Sequence, residues 1–195
     1  MSRPYLSVDI ETTGLDDRSQ ILQIAAVFDD LKSPVANLLT LDMPIKYDTI
    51  TYAEPFALGM NATLLQNMMN KEFKTYTPND AGTALIEFLQ QCQELSGLDE
   101  KGKPLKVVIA GKNVASFDIP KLRAFLDRTD RRGFDEILHH RTLDVGSLYY
   151  DVFGDNVSLS KINEVTGRKA VSHNALDDAL DVVYAVRHKL GVSNE

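Results

Sequence analysis

Cysteine occurs once in the 195 residues and tryptophan not at all. A single thiol, Cys92, excludes an intrachain disulfide, and its place in a helical pattern reads as a small core residue rather than a redox centre. With no cysteine cluster and four histidines, the donor set argues against zinc. No apolar run approaches the roughly 18–20 residues of a membrane span. The opening MSRPYLSVDI reaches a carboxylate by residue 9 and has no apolar leader core. The expectation is a soluble, cytoplasmic protein with no membrane partner. Positive charge is short as well: 21 Lys and Arg stand against 28 Asp and Glu, a formal net charge of −7. That balance weighs against gripping nucleic acid by bulk electrostatics, but not against an enzyme that engages a few phosphates. What is plentiful is apolar: 44% of residues are hydrophobic and 25% charged. This suffices for a sizeable core, and the length fits a single domain over residues 1–195 better than two.

Residues 4–10 and 20–28 read as apolar strands separated by turn material, TTGLDDRS. Residues 36–43 make a third strand, ended by Pro44, and the short connections favour an antiparallel meander. Tyr47 to Met60, broken by Pro55 and Gly59, reads as a loop over one face, with Asn61 as the cap of a short helix. From Pro78 a helix places Leu85, Phe88, Leu89, Cys92 and Leu95 on one face and stops at Gly97. A buried strand follows at 107–111. A helix from about Ile119 turns Ile119, Leu122, Phe125 and Leu126 inward and ends near Gly133. Pro120 suits its first turn. A short strand near 137–143 and two short helical segments precede a last helix at roughly 175–190. Its buried stripe is Leu176, Ala179, Leu180, Val183, Val186 and Leu190. Three antiparallel strands, then alternating helix and strand, predict a mixed α/β sheet with helices on both faces.

The stretch SVDIETTGL puts Asp9 and Glu11 two apart in a strand, so both carboxylates share a face while Val8 and Ile10 point the other way. Asp118 and Asp178 sit where helices begin. Taken singly, an Asp at a helix start is a cap or a macrodipole partner. His173 alone reads as a surface histidine, and Asp177, Asp178 and Asp181 as the polar face of a helix. Periodicity does not choose between Asp177 and Asp178, since both lie off the apolar stripe. Buried together, such acids require pairing, neutralisation or a cation.

The conjunction is more specific. D-I-E-T-T-G at 9–14, N-x-x-x-F-D at 113–118 and H-x-A-x-x-D at 173–178 resemble the three motifs of the DEDDh group of DnaQ-like 3′–5′ exonucleases. That superfamily includes bacterial polymerase III proofreading subunits and ribonuclease T. The motifs keep the family's order across residues 9–178. Asn174 stands where the DEDDy group has Tyr, so His173 gives the histidine form. Lys112, Gln23 and Ala26 depart from the commonest neighbours of the motifs, where His, Glu and Gly are frequent.

The resemblance implies an RNase H-like five-stranded sheet, three strands antiparallel and then parallel additions, flanked by helices. It implies catalytic residues Asp9, Glu11, Asp118, His173 and Asp178, and two Mg²⁺ or Mn²⁺ ions held by the four acids. Oxygen ligands suit those hard cations. Asp9, Glu11 and Asp178 would hold the first ion, and Asp9 with Asp118 the second. His173 would take the proton of the attacking water, from a loop mobile enough to swing in. The implied reaction is stepwise hydrolysis from the 3′ end of single-stranded nucleic acid, DNA favoured, releasing nucleoside 5′-monophosphates. A DNA polymerase or repair complex is admitted as a partner. Thr13, Gly14 and Leu15 would receive the terminal nucleotide through backbone N–H groups and an apolar wedge, against the plainer reading of an ordinary turn with one buried Leu. Asn113 and Phe117 would shape the site, with Phe117 also readable as core. Lys121, Arg123, Arg128, Arg131, Arg132 and Arg141 read equally as a solvated face and as a hold on a strand's backbone. Asp144 reads as a helix cap and no ligand, and His139 and His140 receive no role. The alternatives carried are an exoribonuclease and a non-catalytic module that binds a polymerase or a nucleic-acid end.

Overall fold

A computed structural model describes residues 3–169 and 171–195; Met1 and Ser2 of the opening stretch lie outside the described residues. Five strands form one sheet: β1 (Tyr5–Thr12), β2 (Ile21–Asp29), β3 (Leu39–Pro44), β4 (Val107–Gly111) and β5 (Leu138–Asp144). Their order is β3-β2-β1-β4-β5. The first three pair antiparallel, and β4 and β5 add in parallel. This is the mixed α/β, RNase H-like sheet that the sequence predicts. Residues 36 and 37, expected as the start of the third strand, belong instead to a single tight helical turn, Val35–Asn37.

The alternation of β1 decides what each face does. Leu6, Val8 and Ile10 enter a core built with α3 (Pro78–Ser96) and α4 (Asp118–Arg128), through Leu85, Phe88, Leu89, Leu122 and Phe125. Cys92 lies fully buried there, and burial pushes its thiol up to about 12. Tyr5 and Ser7, on the opposite face, meet α9 (Ala175–Leu190). That second core also takes Val145 and Tyr149, from and just after α6 (Val145–Leu148), and Ile162 of α8 (Leu159–Thr166). Asp9 and Glu11 continue this face beyond the helix-covered part.

Several details depart from the periodicity. Residues 55–60 of the expected loop form a short helix, α1 (Pro55–Met60), followed by α2 (Ala62–Met69). Asn61 precedes α2, but its side chain makes no cap bond. Leu95 is exposed at the margin of the α3 stripe, while Ser96 beside it is buried. The helix after Asp118 stops at Arg128, well before Gly133, which opens α5 (Phe134–Ile137) from a left-handed φ of 96°. Three short helices, not two, follow β5: α6, α7 (Tyr150–Phe153) and α8. Leu190 is half-exposed, while Asp178, Asp181 and Arg187 are buried, because α9 is covered on more than one side.

At its far end α9 is fixed by an ion pair. The Arg187 guanidinium donates to both Asp29 oxygens at 2.9 and 2.6 Å and to the Ser33 and Ser193 carbonyls. Asp29 also accepts from the Tyr5 hydroxyl and the Leu31 N–H. Arg187 and Asp29 are 1% and 0% exposed by side chain, so the pair owes its fitness to complete hydrogen bonding rather than to Coulomb attraction alone. Arg187→Met strands the Asp29 carboxylate and is expected to lower stability by about 3–5 kcal/mol. Thermal or urea unfolding reads this, and adding Asp29→Asn should restore part of the loss.

Candidate active site

Asp9 and Glu11 leave β1 two residues apart and half-buried. Asp118 is the first residue of α4 and Asp178 lies in the first turn of α9, 5% and 6% exposed. Both helices thus bring their N-terminal turns, the positive ends of their dipoles, to one pair of strand carboxylates. The four acids feel one another. Burial first, then the charges of Asp118, Asp178 and Glu11, hold Asp9 well above the usual carboxylate range. Burial raises Glu11 to about 7, with Asp178 adding to the rise and a hydrogen bond from Asn61 opposing it. Burial likewise raises Asp118 to about 7, against the pull of backbone N–H groups. Asp178 also rises to about 7, from burial first and the nearby Asp181 and Asp177 charges next.

The choice among the acids of α9 is now physical. Asp177 is exposed and accepts from the Ser172 hydroxyl at 3.0 Å. Asp181 is committed to Arg168 at 2.7 Å and to the Asn163 amide. Among the described residues, Asp178 alone of these three acids keeps a buried oxygen, Oδ1, with no hydrogen-bond partner. Glu11, Asp178 and His173 each offer a ligand atom within 4.8 Å of the others. An orphaned buried carboxylate oxygen beside another acid and an imidazole fits a divalent cation. His173 therefore stands beside the acids already. It does so from a left-handed backbone with φ 54°, a conformation that costs a non-glycine residue energy.

The turn after β1 is closed on itself. Thr13 N–H donates to the Gln20 carbonyl at 2.9 Å, and the Thr13 hydroxyl accepts from Gln20 N–H. The Gly14 N–H reaches the Thr12 hydroxyl at 3.4 Å. Leu15 and Asp16 both donate to Glu54 Oε1, at 3.1 and 3.2 Å. A Cβ on Gly14 would meet the Glu54 carboxylate carbon at 2.6 Å, so this close approach requires glycine. Leu15 projects, 75% exposed. Asn113 adopts φ 57° and donates its N–H to Asp144 Oδ2 at 2.6 Å. The other oxygen, Oδ1, caps α6 through Ser147 N–H. Phe117 packs half-buried against the α3/α4 core, with Lys121 Nζ 5.1 Å from its ring centre.

Three supporting residues escape sequence reasoning. Glu54 meets the turn from nearly forty residues away. Asn61 donates from Nδ2 to the Thr12 and Ala57 carbonyls, under Glu11. Gln23 accepts from Ala175 N–H and donates to Asp42, tying β2 to the start of α9. Gln23 thus positions α9, while Ala26 lies in the opposite core. The basic run divides: Arg123 pairs with Asp135, Arg131 binds Thr83 and the Thr129 carbonyl, and Arg132 and Arg141 face solvent. Lys121 and Arg128 turn toward the 16–21 turn. Among the described residues no helix is long and apolar enough to cross a membrane.

No family model matches the sequence, and no curated protein matches it. Solved structures do. Escherichia coli exonuclease I bound to single-stranded DNA, in a zinc-bound form, superposes with a TM-score of 0.68 at 14% identity, over 96% of this chain and 41% of that one. The same enzyme with a dA16 oligonucleotide gives 0.69 at 14% identity, over 97% and 42%. Schizosaccharomyces pombe Pop2p, in a Mg²⁺- and Mn²⁺-bound form, gives 0.60 at 17% identity, over 95% and 83%. The chain spans about two fifths of the length of exonuclease I. The chain shares the RNase H-like fold of these structures.

Each raised acid lies above its value in the unfolded chain, roughly 4. The folded, metal-free protein therefore holds extra protons between about pH 4 and about 7, and loses stability as pH rises through that window. Melting in EDTA from about pH 5 to 8 should show a falling Tm. Mg²⁺ or Mn²⁺ should flatten that slope, and Asp9→Asn should raise the pH 8 value without metal, by roughly 2–4 °C per kcal/mol gained.

Proposed function

We propose that residues 1–195 form one exonuclease domain. It would hydrolyse phosphodiester bonds from the 3′ end of single-stranded nucleic acid, DNA favoured, and release nucleoside 5′-monophosphates. The observation that carries this reading is the unpartnered Asp178 Oδ1, buried among Glu11, His173 and the Asp9–Asp118 pair. Asp9, Glu11 and Asp178 would hold one divalent cation, and Asp9 with Asp118 a second. When bound, such ions supply Lewis acidity to the scissile phosphate and its leaving oxygen. The acids keep that charge in place. Glu11 is steadied by Asn61, and Asp178 by an α9 anchored through Gln23 and Arg187.

His173 accepts the proton of the attacking water. Imidazole is the side chain most often used for such a proton transfer. Leu15 meets the terminal nucleotide as an apolar wedge, supported by Thr13 and Gly14. Phe117 and Asn113 form the neighbouring wall through the 113–118 turn. The closeness of His173 to Glu11 and Asp178 also suits a metal ligand, and the two roles differ in their effect on metal affinity.

Matched 5′-labelled DNA and RNA strands, with Mg²⁺, Mn²⁺ or EDTA, test the reading. A metal-dependent ladder shrinking from the 3′ end is expected, with DNA shortened faster. Asp9→Ala should abolish it and His173→Ala should slow it about 10²–10⁴-fold. A Mn²⁺ titration unchanged in His173→Ala marks a base, and a weakened one marks a ligand. Absence of cleavage of either strand with either metal would overturn the proposal.

A further inference from the structure

Behind the 12–20 turn, on the α4 side, lies a cavity of about 440 Å³ whose lining includes none of the five motif residues. Its volume falls in the range of small-molecule sites. Lys121, Phe125 and Arg128 border it, spaced four and three residues apart on one stripe of α4. The opposite wall brings Arg18, Ser19 and Tyr47.

The charges there are unevenly met. Arg18 is held by both Asp16 oxygens, at 2.8 and 3.1 Å, and lies 4.2 Å above the Tyr52 ring. Lys121 and Arg128 instead donate to backbone carbonyls, of Asp16 at 2.8 Å and Asp17 at 3.3 Å. Among the described residues neither forms an ion pair within 4 Å. One carboxylate, Asp17, shares the lining and offsets part of this charge. Burial holds Lys121 below its ordinary range, against the attraction of Asp17, Asp16 and Glu54.

Two cations without a carboxylate partner, beside the aromatic and apolar side chains of Tyr47, Phe125 and Ile21, suit an anion carried on a flat, partly apolar body.

We propose that this cavity binds a nucleotide, with its phosphate on Lys121 and Arg128 and its base against Tyr47 and Phe125. The phosphate has two sources, a free nucleoside monophosphate or a nucleotide within a strand. Neither requires the four acids to be catalytic, so the proposal stands apart from the exonuclease reading.

Calorimetric titration of the whole chain in EDTA separates the cases without turnover. The probes are deoxyadenosine 5′-monophosphate, a short single-stranded oligodeoxynucleotide and inorganic phosphate. Arg128→Ala, exposed enough to fold normally, should weaken nucleotide binding about tenfold, the loss of one charge-assisted hydrogen bond. Arg132→Ala, at a solvent-facing arginine outside the lining, should leave it unchanged. Lys121→Ala should also weaken binding. A response with the monophosphate identifies the free nucleotide, and a response with the oligonucleotide alone identifies the strand. Indifference of both ligands to Arg128→Ala would overturn the site. Phosphate bound as tightly as the nucleotide would overturn its assignment to a nucleotide.

Discussion

Four carboxylates confined to one small volume repel one another, and the rest of the structure is arranged to hold them there. Repulsion between buried like charges is not screened as it would be in water. A loose scaffold would relieve it by moving apart. Here two of the acids ride a central strand, paired with β2 along its length and with β4 as far as Ser7, and two ride helix starts packed on opposite faces of the same sheet. Backbone N–H groups at the start of α4 and the dipoles of both helices offset part of the repulsion. Protonation near neutral pH offsets more, and a divalent cation would replace those protons with bound charge.

The same constraint explains the distant anchors. Asp178 stays beside Glu11 only if α9 neither slides nor rotates on β1 and β2. Gln23 fixes its first residue, and the Ser7 hydroxyl holds the Ala179 carbonyl one turn in. The Asp29–Arg187–Tyr5 cluster fixes the other end, about two and a half turns from Asp178. Placing a full ion pair in a core is costly unless every polar atom is met. This pair brings together β1, β2, α9 and the C-terminal carbonyls, so it fixes a unique register where an apolar contact would tolerate slippage.

How much of this was legible follows from the range of each interaction. Strand alternation in VDIE and the helix stripes of α3, α4 and α9 are local patterns, and they delivered the sheet, its two cores and the face shared by Asp9 and Glu11. Motif spacing brought in Asp118, His173 and Asp178, which the topology gathers. Periodicity could not separate Asp178 from Asp177 and Asp181. The motif match did, and the partners supply the physical reason, with Ser172 taking one and Arg168 and Asn163 the other. Glu54, Asn61 and the buried Arg187 were invisible for the same reason. Each acts through a contact across dozens of residues, on groups no local pattern marks. The basic run misled by its density. Along α4 and beyond it the side chains diverge, so six cations that look like one stripe in sequence serve at least three surfaces.

The closed state of the 12–16 turn bears on how a 3′ end would be received. A turn rich in free N–H groups would attract an oxygen of the terminal nucleotide directly. In this chain Thr13 N–H is spent on Gln20, and the Leu15 and Asp16 donors on the Glu54 carboxylate. The Gly14 N–H keeps the longest of these bonds, at 3.4 Å. What the resting turn presents freely is the Leu15 side chain. On the exonuclease reading, first contact with the terminal nucleotide is therefore apolar and indifferent to which base arrives. Reaching the two N–H groups beyond it means displacing Glu54, an anion already seated where the strand's own oxygen would go. Exchange of one acceptor for another costs far less than exposing bare donors, because the hydrogen bonds are traded and not lost. Glycine at position 14 serves that exchange, since only an absent Cβ lets an acceptor carboxylate lie so close to the turn.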